Sequence, residues 1–202
     1  MMQLHDNPFS PYCRKVKVLL HETGQADAVE IVFAVGHPLA TEQMPLAANP
    51  LGKIPTLTRD EGPALYDSRV ICRYLDARAE AGMYPEARLW EVLTLEATAD
   101  GIMDAAVLMV YESRARPKEK QFPDWVEAQW HKVARALDAL EARWLGHLAG
   151  PMDIGQIAIG CALGYLDLRH EARNWRHGRD GLAGWYDGFA KRESMVATLP
   201  AE

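Results

Sequence analysis

The sequence predicts a small α/β domain followed by an all-helical domain. Through residue 79, short apolar stretches alternate with short helical ones. From Leu89 onward only helical periodicities remain. Between them, "RAEAGMYPEAR" (Arg78 to Arg88) holds Gly82 and Pro85 and has no periodicity, so residues 80–88 are expected to link the domains. A chain of 202 residues is long for one domain and short for two large ones, which agrees with the division 1–79 and 89–202.

In the first domain, Met2 to His5 is a candidate strand. Ser10 to Thr23 reads as a helix, with Tyr12, Val16, Leu19, Leu20 and Thr23 on one face. Ser10 suits the N-cap, Pro11 the first helical position and Gly24 the residue past the end. Val29, Ile31 and Phe33 alternate as in a strand. "ATEQMPLAANP" reads as a short, irregular helical piece ending before Pro50. "IPTLT" and "PALYD", separated by "RDEG", read as a hairpin of two brief strands. Asp67 to Ala79 closes the domain as a helix, with Val70, Ile71, Tyr74 and Leu75 apolar. That order implies a sandwich with one parallel strand pair and one antiparallel hairpin.

In the second domain, Leu89, Val92, Ala99, Ile102, Met103, Ala106 and Val110 form one helical stripe. Val126, Trp130, Val133, Leu137, Leu140 and Trp144 form another. "DIGQIAIGCALGYLDLR" is apolar on nearly all sides and should be the buried central helix, opened by a capping box of Asp153 and Gln156. Gly155 inside that box costs about 1 kcal/mol of helix propensity relative to alanine. Leu182, Trp185, Tyr186 and Phe189 mark a last helix.

Composition narrows the function. A hydrophobic content of 49% and a charged content of 25% are ordinary for a globular protein. A formal charge of −6 argues against a chain-wide nucleic-acid footprint. Three scattered cysteines (13, 72 and 161) form neither a disulfide framework nor a zinc spacing, which favours a reducing compartment and no metal. The opening residues lack a basic stretch followed by an apolar one, so no signal peptide is expected. The longest uncharged apolar run, Ile157 to Leu166, is about half a bilayer span. A cytoplasmic protein bound to neither nucleic acid nor membrane is expected. Arg169, Arg173, Arg176 and Arg179, with His170 and His177, form a local basic cluster: a solvated face, or an attractor for an anionic ligand.

"FSPYCRKVKVLL" carries Ser10-Pro11-Tyr12-Cys13, a C-x-x-C redox motif with serine in the first place. Three further stretches stand out: "NPLGKIPTL" (Asn49 to Leu57), "LYDSRVICRYL" and "MDIGQIAIGCALGYLDLR". In order and spacing, across nearly the whole chain, these motifs resemble the cytosolic-type glutathione S-transferase family in its bacterial, serine-type branch. The resemblance implies a thioredoxin-like N-terminal domain, a helical C-terminal domain and glutathione as co-substrate. It also implies a two-fold homodimer whose interface uses the third and fourth helices.

The resemblance assigns candidate residues. Pro55 is expected to be cis, turning the backbone of Ile54 outward to pair with the cysteinyl unit of glutathione. Its alternative is a proline opening an edge strand. Asp67 and Ser68, where a strand gives way to a helix, are expected to hold the γ-glutamyl residue, although Asp67 equally suits a plain N-cap. Lys53 and, more weakly, His37 are candidates for the glycine carboxylate. Phe9, Met103, Val107 and Tyr111 are candidates for the electrophile pocket, which the resemblance sets against the first helices of the C-terminal domain. Each is equally a candidate for core or dimer contact.

For Ser10 the chemistry is specific. The glutathione thiol resembles free cysteine, with a pKa of about 8.5, and its thiolate is the nucleophile. A hydroxyl at the start of a helix can donate a hydrogen bond to that thiolate, and the helix dipole adds to it. Serine need not attack, so no histidine or aspartate is required beside it. The alternative is that Ser10 before Pro11 is a cap and nothing more. Cys13 reads as a small packing residue, with a Cys13-dependent thiol-disulfide reductase as the competing view. A non-enzymatic binding module remains the third possibility. Dehalogenation, isomerisation or peroxide reduction would use the same glutathione site.

Overall fold

The computed structural model describes residues 1–200. It divides into two compact units, Met1–Ala87 and Arg88–Arg192, and the segment beginning at Glu193 packs with the first.

The first unit is thioredoxin-like. Its strands are β1 (Met2–Asp6), β2 (Val29–Phe33) and β3 (Thr56–Thr58), and its helices are α1 (Pro11–Glu22) and α2 (Ser68–Ala79). The sheet order is β2-β1-β3, with β2 parallel and β3 antiparallel to β1. Met2 and Leu4 are buried on β1, and Val16, Val18, Leu19 and Leu20 are buried on α1. Ser10 is the N-cap of α1 and Asp67 that of α2, as the local chemistry predicts.

Two expectations need correction. "PALYD" forms no fourth strand: only Leu65 pairs, exchanging backbone hydrogen bonds with Leu57 at 3.0 and 2.8 Å. Pro63 has no N–H to extend that ladder. "ATEQMPLAANP" forms successive turns in place of a helix, with Met44 N–H bonding Thr41 C=O at 2.9 Å and Ala48 N–H bonding Pro45 C=O at 3.0 Å. Proline at 45 and again at 50 interrupts any helical ladder. The alternation in β2 is real, but only Val29 is buried, and Ile31 and Phe33 are exposed on an outer strand.

Helix α8 (Glu193–Ala197) belongs to this unit because of Arg14. That arginine is buried, and its guanidinium donates to Met195 C=O at 3.0 Å and reaches Thr198 Oγ1 at 3.5 Å. A buried guanidinium must find acceptors, and here the chain's last segment supplies them.

The second unit contains α3 (Leu89–Ala115), α4 (Pro123–Arg143), α5 (Leu145–Leu148), α6 (Ile154–His170) and α7 (Asp180–Phe189). Every residue of α6 from Ile154 to Leu166 is buried, so it is the central helix the sequence predicts. The capping box is formed: Gln156 N–H bonds Asp153 Oδ1 at 3.2 Å, and Asp153 N–H bonds Gln156 Oε1 at 3.3 Å. Asp153 is fully buried, and its other oxygen lies 2.8 Å from His147 Nε2 and 3.6 Å from Arg88 Nη1. Gln156 Nε2 reaches the carbonyls of His147, Leu148 and Gly150 at 3.1–3.2 Å, which ties α5 to α6. Gly155 is explained by α3: a Cβ there would lie 2.8 Å from Leu95 Cβ. The glycine weakens the helix and allows the two helices to close on each other.

Three arginines of the basic cluster are engaged by acids of this unit. Arg173 pairs with Glu127 at 2.6 Å, Arg176 with Asp167 at 2.8 Å and Arg179 with Asp138 at 2.6 Å. No helix among the described residues is long and apolar enough to cross a membrane.

Candidate glutathione site

Strand register brings the candidate residues of the first unit to one end of the sheet. His5 on β1 is opposite Thr56 on β3, so the segment leaving β1 toward Ser10 adjoins the one arriving through Lys53, Ile54 and Pro55. Leu65 is opposite Leu57, so the chain running on to Asp67 and Ser68 heads for the same end. Asp6 pairs with Phe33 in parallel, so β2 delivers the loop carrying His37 to that end too.

The loop after β1 is held by short-range bonds. Asn7 Oδ1 accepts from Phe9 N–H at 3.1 Å, and Asn7 C=O accepts from Ser10 N–H at 2.9 Å. Asn7 Nδ2 donates to Ala34 C=O at 3.2 Å, which ties the loop to the end of β2. Ser10 Oγ accepts from Cys13 N–H at 3.3 Å, the capping bond. Phe9 is exposed and Ser10 half-buried, so this helix end is open to a ligand.

Cys13 is fully buried. Burial, and then the charge of Asp6, push its thiol up to about 12, against hydrogen bonding from Ser10 and Asn7 and the charge of Lys17. Asp6 is itself buried, with one oxygen 2.9 Å from Lys17 Nζ and the other without a partner among the described residues. Cys72 and Cys161 are buried as well.

The Ile54–Pro55 bond is cis, and so is Tyr66–Asp67. The half-buried Ile54 precedes β3, and Lys53 is exposed. The sequence reading missed Asn49, which holds this turn. Buried between the strands of the loop, its Nδ2 donates to Lys53 C=O at 2.9 Å and Thr56 Oγ1 at 3.1 Å, and its Oδ1 accepts from Leu51 N–H at 3.0 Å. An asparagine before Pro-Leu-Gly is a turn signal that could have identified it. His37 is exposed in the loop after β2, and its Nδ1 accepts from Leu39 N–H at 3.2 Å.

Asp67 is exposed, and Ser68 is buried at the first turn of α2. The sequence reading also missed Arg69. It binds the Asp67 carboxylate through its N–H at 3.0 Å and its guanidinium at 2.7 and 3.3 Å. Hydrogen bonding from the Arg69 side chain, chiefly, holds the Asp67 carboxyl below its ordinary range, and Lys15 on α1 adds charge from further away.

Of the pocket candidates in the second unit, Met103 is fully buried, Val107 half-buried and Tyr111 40% exposed. Val107 and Tyr111 have surface to offer a ligand and Met103 has none. Among the described residues, no group of three or more His, Cys, Asp or Glu is placed to hold a metal ion.

Comparison with known proteins agrees with this layout. Residues 9–78 match "Glutathione S-transferase, N-terminal domain" and residues 123–188 match "Glutathione S-transferase, C-terminal domain". The "Uncharacterized GST-like protein YibF" of Escherichia coli (strain K12) is 36% identical over 204 residues, spanning 98% of each chain. A glutathione transferase family member from Pseudomonas fluorescens Pf-5, solved with bound glutathione, is 46% identical, with a TM-score of 0.97 over 100% of both chains. The protein from the same source solved with bound S-(propanoic acid)-glutathione superposes with a TM-score of 0.92, at 46% identity over 100% of both chains. With matched domains in both halves and full-length relatives at this identity, the chain belongs to the glutathione S-transferase family.

Proposed function

We propose that the protein is a serine-type glutathione transferase that conjugates the glutathione thiolate to a small electrophile with an apolar body. The carrying observation is Ser10, an N-cap hydroxyl on a half-buried, ligand-accessible helix end, at the sheet end to which the cis-Pro55 turn and the Asp67–Ser68 helix start also lead. Similarity to a Pseudomonas fluorescens family member with bound glutathione supports the choice of tripeptide.

In this reading the tripeptide lies across the end of the sheet. Asp67 accepts from the γ-glutamyl ammonium, and Ser68 meets the neighbouring carboxylate with its hydroxyl and amide. No described residue hydrogen-bonds the N–H or C=O of Ile54, so both are available to the cysteinyl unit. Lys53, with His37 as the weaker candidate, meets the glycine carboxylate. Arg69, already on Asp67, holds that carboxylate in its charged form. Ser10 donates to the sulfur, whose proton has left to solvent. The sulfur then bonds to the electrophilic carbon. Either a leaving group departs with its bonding pair, or the pair of a double bond moves to the adjacent carbon, which takes a proton from water.

On the first unit the exposed Phe9 is the candidate for contact with the acceptor, and on the second Val107 and Tyr111 are the candidates with surface to offer one. The protein acts as a homodimer in a reducing, cytoplasmic compartment. A Cys13-based exchange reaction is disfavoured, because its thiol is fully buried and protonated at neutral pH.

Calorimetry with glutathione, followed by conjugation of a halogenated aromatic acceptor, tests the proposal. Binding with turnover that falls in Ser10→Ala is expected. Binding without turnover would favour a non-catalytic module, and loss in Cys13→Ala but not in Ser10→Ala would overturn the role of Ser10.

A further inference from the structure

The loop that enters β3 turns on a closed set of hydrogen bonds around one carbonyl. Asn49 and Thr56 are both buried, and Thr56 is anchored in β3 opposite His5. Asn49 Nδ2 donates to the Lys53 carbonyl at 2.9 Å and to Thr56 Oγ1 at 3.1 Å. Thr56 Oγ1 passes its own proton to the same Lys53 carbonyl at 2.9 Å. Both lone pairs of that carbonyl are therefore engaged. Asn49 Oδ1 accepts from Leu51 N–H at 3.0 Å, and the Asn49 carbonyl accepts from Gly52 N–H at 3.0 Å. No polar atom of either side chain is left without a partner.

The consequence lies at the other end of the same peptide unit. The Lys53–Ile54 bond is trans, so its carbonyl and its N–H point in opposite directions. With the Lys53 carbonyl turned into the buried hub, the Ile54 N–H is directed away from it, and it hydrogen-bonds no described residue. The chain before Ile54 supplies little restraint of its own: Leu51 and Lys53 are exposed, and Gly52 sits at φ 59°. Closing the loop needs one bond to this carbonyl, and a second fixes the plane in which its N–H lies. Each hydrogen bond that the carbonyl accepts also polarises the peptide and makes the N–H a stronger donor.

We infer that Asn49 and Thr56 are positioning residues for the ligand: they lock the Lys53–Ile54 peptide with its N–H presented to the carbonyl of the cysteinyl unit, which makes that carbonyl a requirement for tight binding. The inference rests on the glutathione reading above and deepens it, from which tripeptide is held to which of its atoms is recognised. The orientation is set during folding, so binding does not have to order the donor, and this preorganisation is what the hub contributes to affinity. The ligands selected are γ-glutamyl thiols that carry an amide carbonyl on the same carbon as the CH2SH arm. A γ-glutamyl derivative of a simple aminothiol lacks that carbonyl and leaves the Ile54 N–H without its acceptor.

The test is calorimetric, on the full chain, with glutathione, γ-glutamylcysteinamide and γ-glutamylcysteamine, the last two differing only by the carboxamide that holds the carbonyl. The wild type should bind the carboxamide about three- to tenfold more tightly than the cysteamine ligand, one hydrogen bond's worth. Thr56→Val removes a hydroxyl at nearly constant shape, and Asn49→Asp keeps the acceptor for Leu51 N–H while losing both donors. Each should reduce the preference to about twofold or less with the cysteamine ligand's affinity unchanged, whereas Thr56→Ser should keep it. A loop that had merely loosened would weaken both ligands alike, and that result, or a preference intact in both variants, would overturn the inference. Equal binding of the two ligands by the wild type would overturn it as well, while glutathione binding with turnover left the conjugation reading intact. Failure of glutathione itself to bind would remove both. Amide hydrogen exchange on the wild type requires no variant to fold: the Ile54 amide should be unprotected in the free protein, protected with the carboxamide and unprotected with the cysteamine ligand. Protection with neither ligand, or already in the free protein, would refute the role of that donor.

Discussion

Ser10 is a helix cap, and the proposed function gives it a second role that different substitutions can separate from the first. Its Oγ accepts the Cys13 N–H at 3.3 Å, a long capping bond, so losing the cap should cost about 0.5–1 kcal/mol, the lower part of the range for such caps. The same hydroxyl, donating to a bound thiolate, makes a hydrogen bond to a charged group, worth about 1.5–3 kcal/mol. At 1.36 kcal/mol per unit that is a lowering of the glutathione thiol by about 1–2 pKa units, and the half-exposed setting favours the smaller figure. Ser10→Ala removes both effects. Ser10→Gly keeps a serviceable N-cap but has no side-chain donor, and Ser10→Thr keeps both. The assay is the ultraviolet absorbance of the thiolate, titrated against pH with glutathione bound, beside urea unfolding of each variant. Gly should match wild type in stability to within a few tenths of a kcal/mol and still raise the bound thiol's pKa by about one unit or more. Thr should track wild type in both measurements. If Ser10→Ala lost stability while Ala and Gly left the bound thiol's pKa where it was, Ser10 would be a cap and nothing else.

Gly155→Ala should lower the melting temperature although alanine is the better helix former. Overpacking against Leu95 costs about 1–3 kcal/mol, the propensity gain returns about 1, and differential scanning calorimetry should register a fall of a few degrees. Asp153→Ala removes a fully buried cap and leaves Gln156 N–H and His147 without their acceptor, for a loss of about 2–4 kcal/mol in urea unfolding, whereas Asp153→Asn, still a cap, should lose less. Tyr165 gives an alkaline signature. Its phenol is raised from 10.0 to about 12, mainly by burial, so its contribution is fully present below pH 10 and is lost as pH rises toward 12. The unfolded chain releases that proton first, and Tyr165→Phe should flatten the alkaline fall in stability between those limits.

Whatever depends on near neighbours was legible in the sequence. Ser10 before Pro11, and Asp153 with Gln156, announce helix starts because capping acts over three residues, and both caps form. The apolar run of α6 announces a buried helix because no face of it suits water. What was not legible depends on distant partners. "PALYD" has strand composition, but the sheet accepts only Leu65 as a pair. Arg14 looks like a surface residue until Met195 and Thr198 return to it from the far end of the chain. Gly155 reads as a defect until Leu95 is found against it. For the site, the order of motifs indicated which residues to consider, and strand register explains why they meet at one end of the sheet. Arg69 is an intermediate case: two residues from Asp67, it could have been anticipated, and it leaves that carboxylate paired before any ligand arrives.

The helix start proposed to hold a ligand's sulfur is unsuitable for the protein's own. On the proposed function both sulfurs would meet the same dipole and the same hydroxyl. Cys13 additionally bears full burial and the charge of Asp6, which together outweigh Ser10, Asn7 and Lys17 and push its thiol up to about 12. A sulfur supplied from solvent to the exposed side of Ser10 escapes the desolvation that dominates at Cys13. On the proposed function, serine in the first place of a C-x-x-C pattern would transfer the reactive thiolate from protein to ligand. Native-state alkylation tests the argument. At pH 7 a thiol near 12 is ionised in about one molecule in 10⁵, against a few per cent for free cysteine, so Cys13 should react about a thousandfold more slowly than a free thiol, before burial slows it further. Asp6→Asn removes a charge but not the burial, and should leave that protection largely in place. Labelling of Cys13 in the folded protein at the rate of a free thiol would mean that the sulfur at this helix end belongs to the protein.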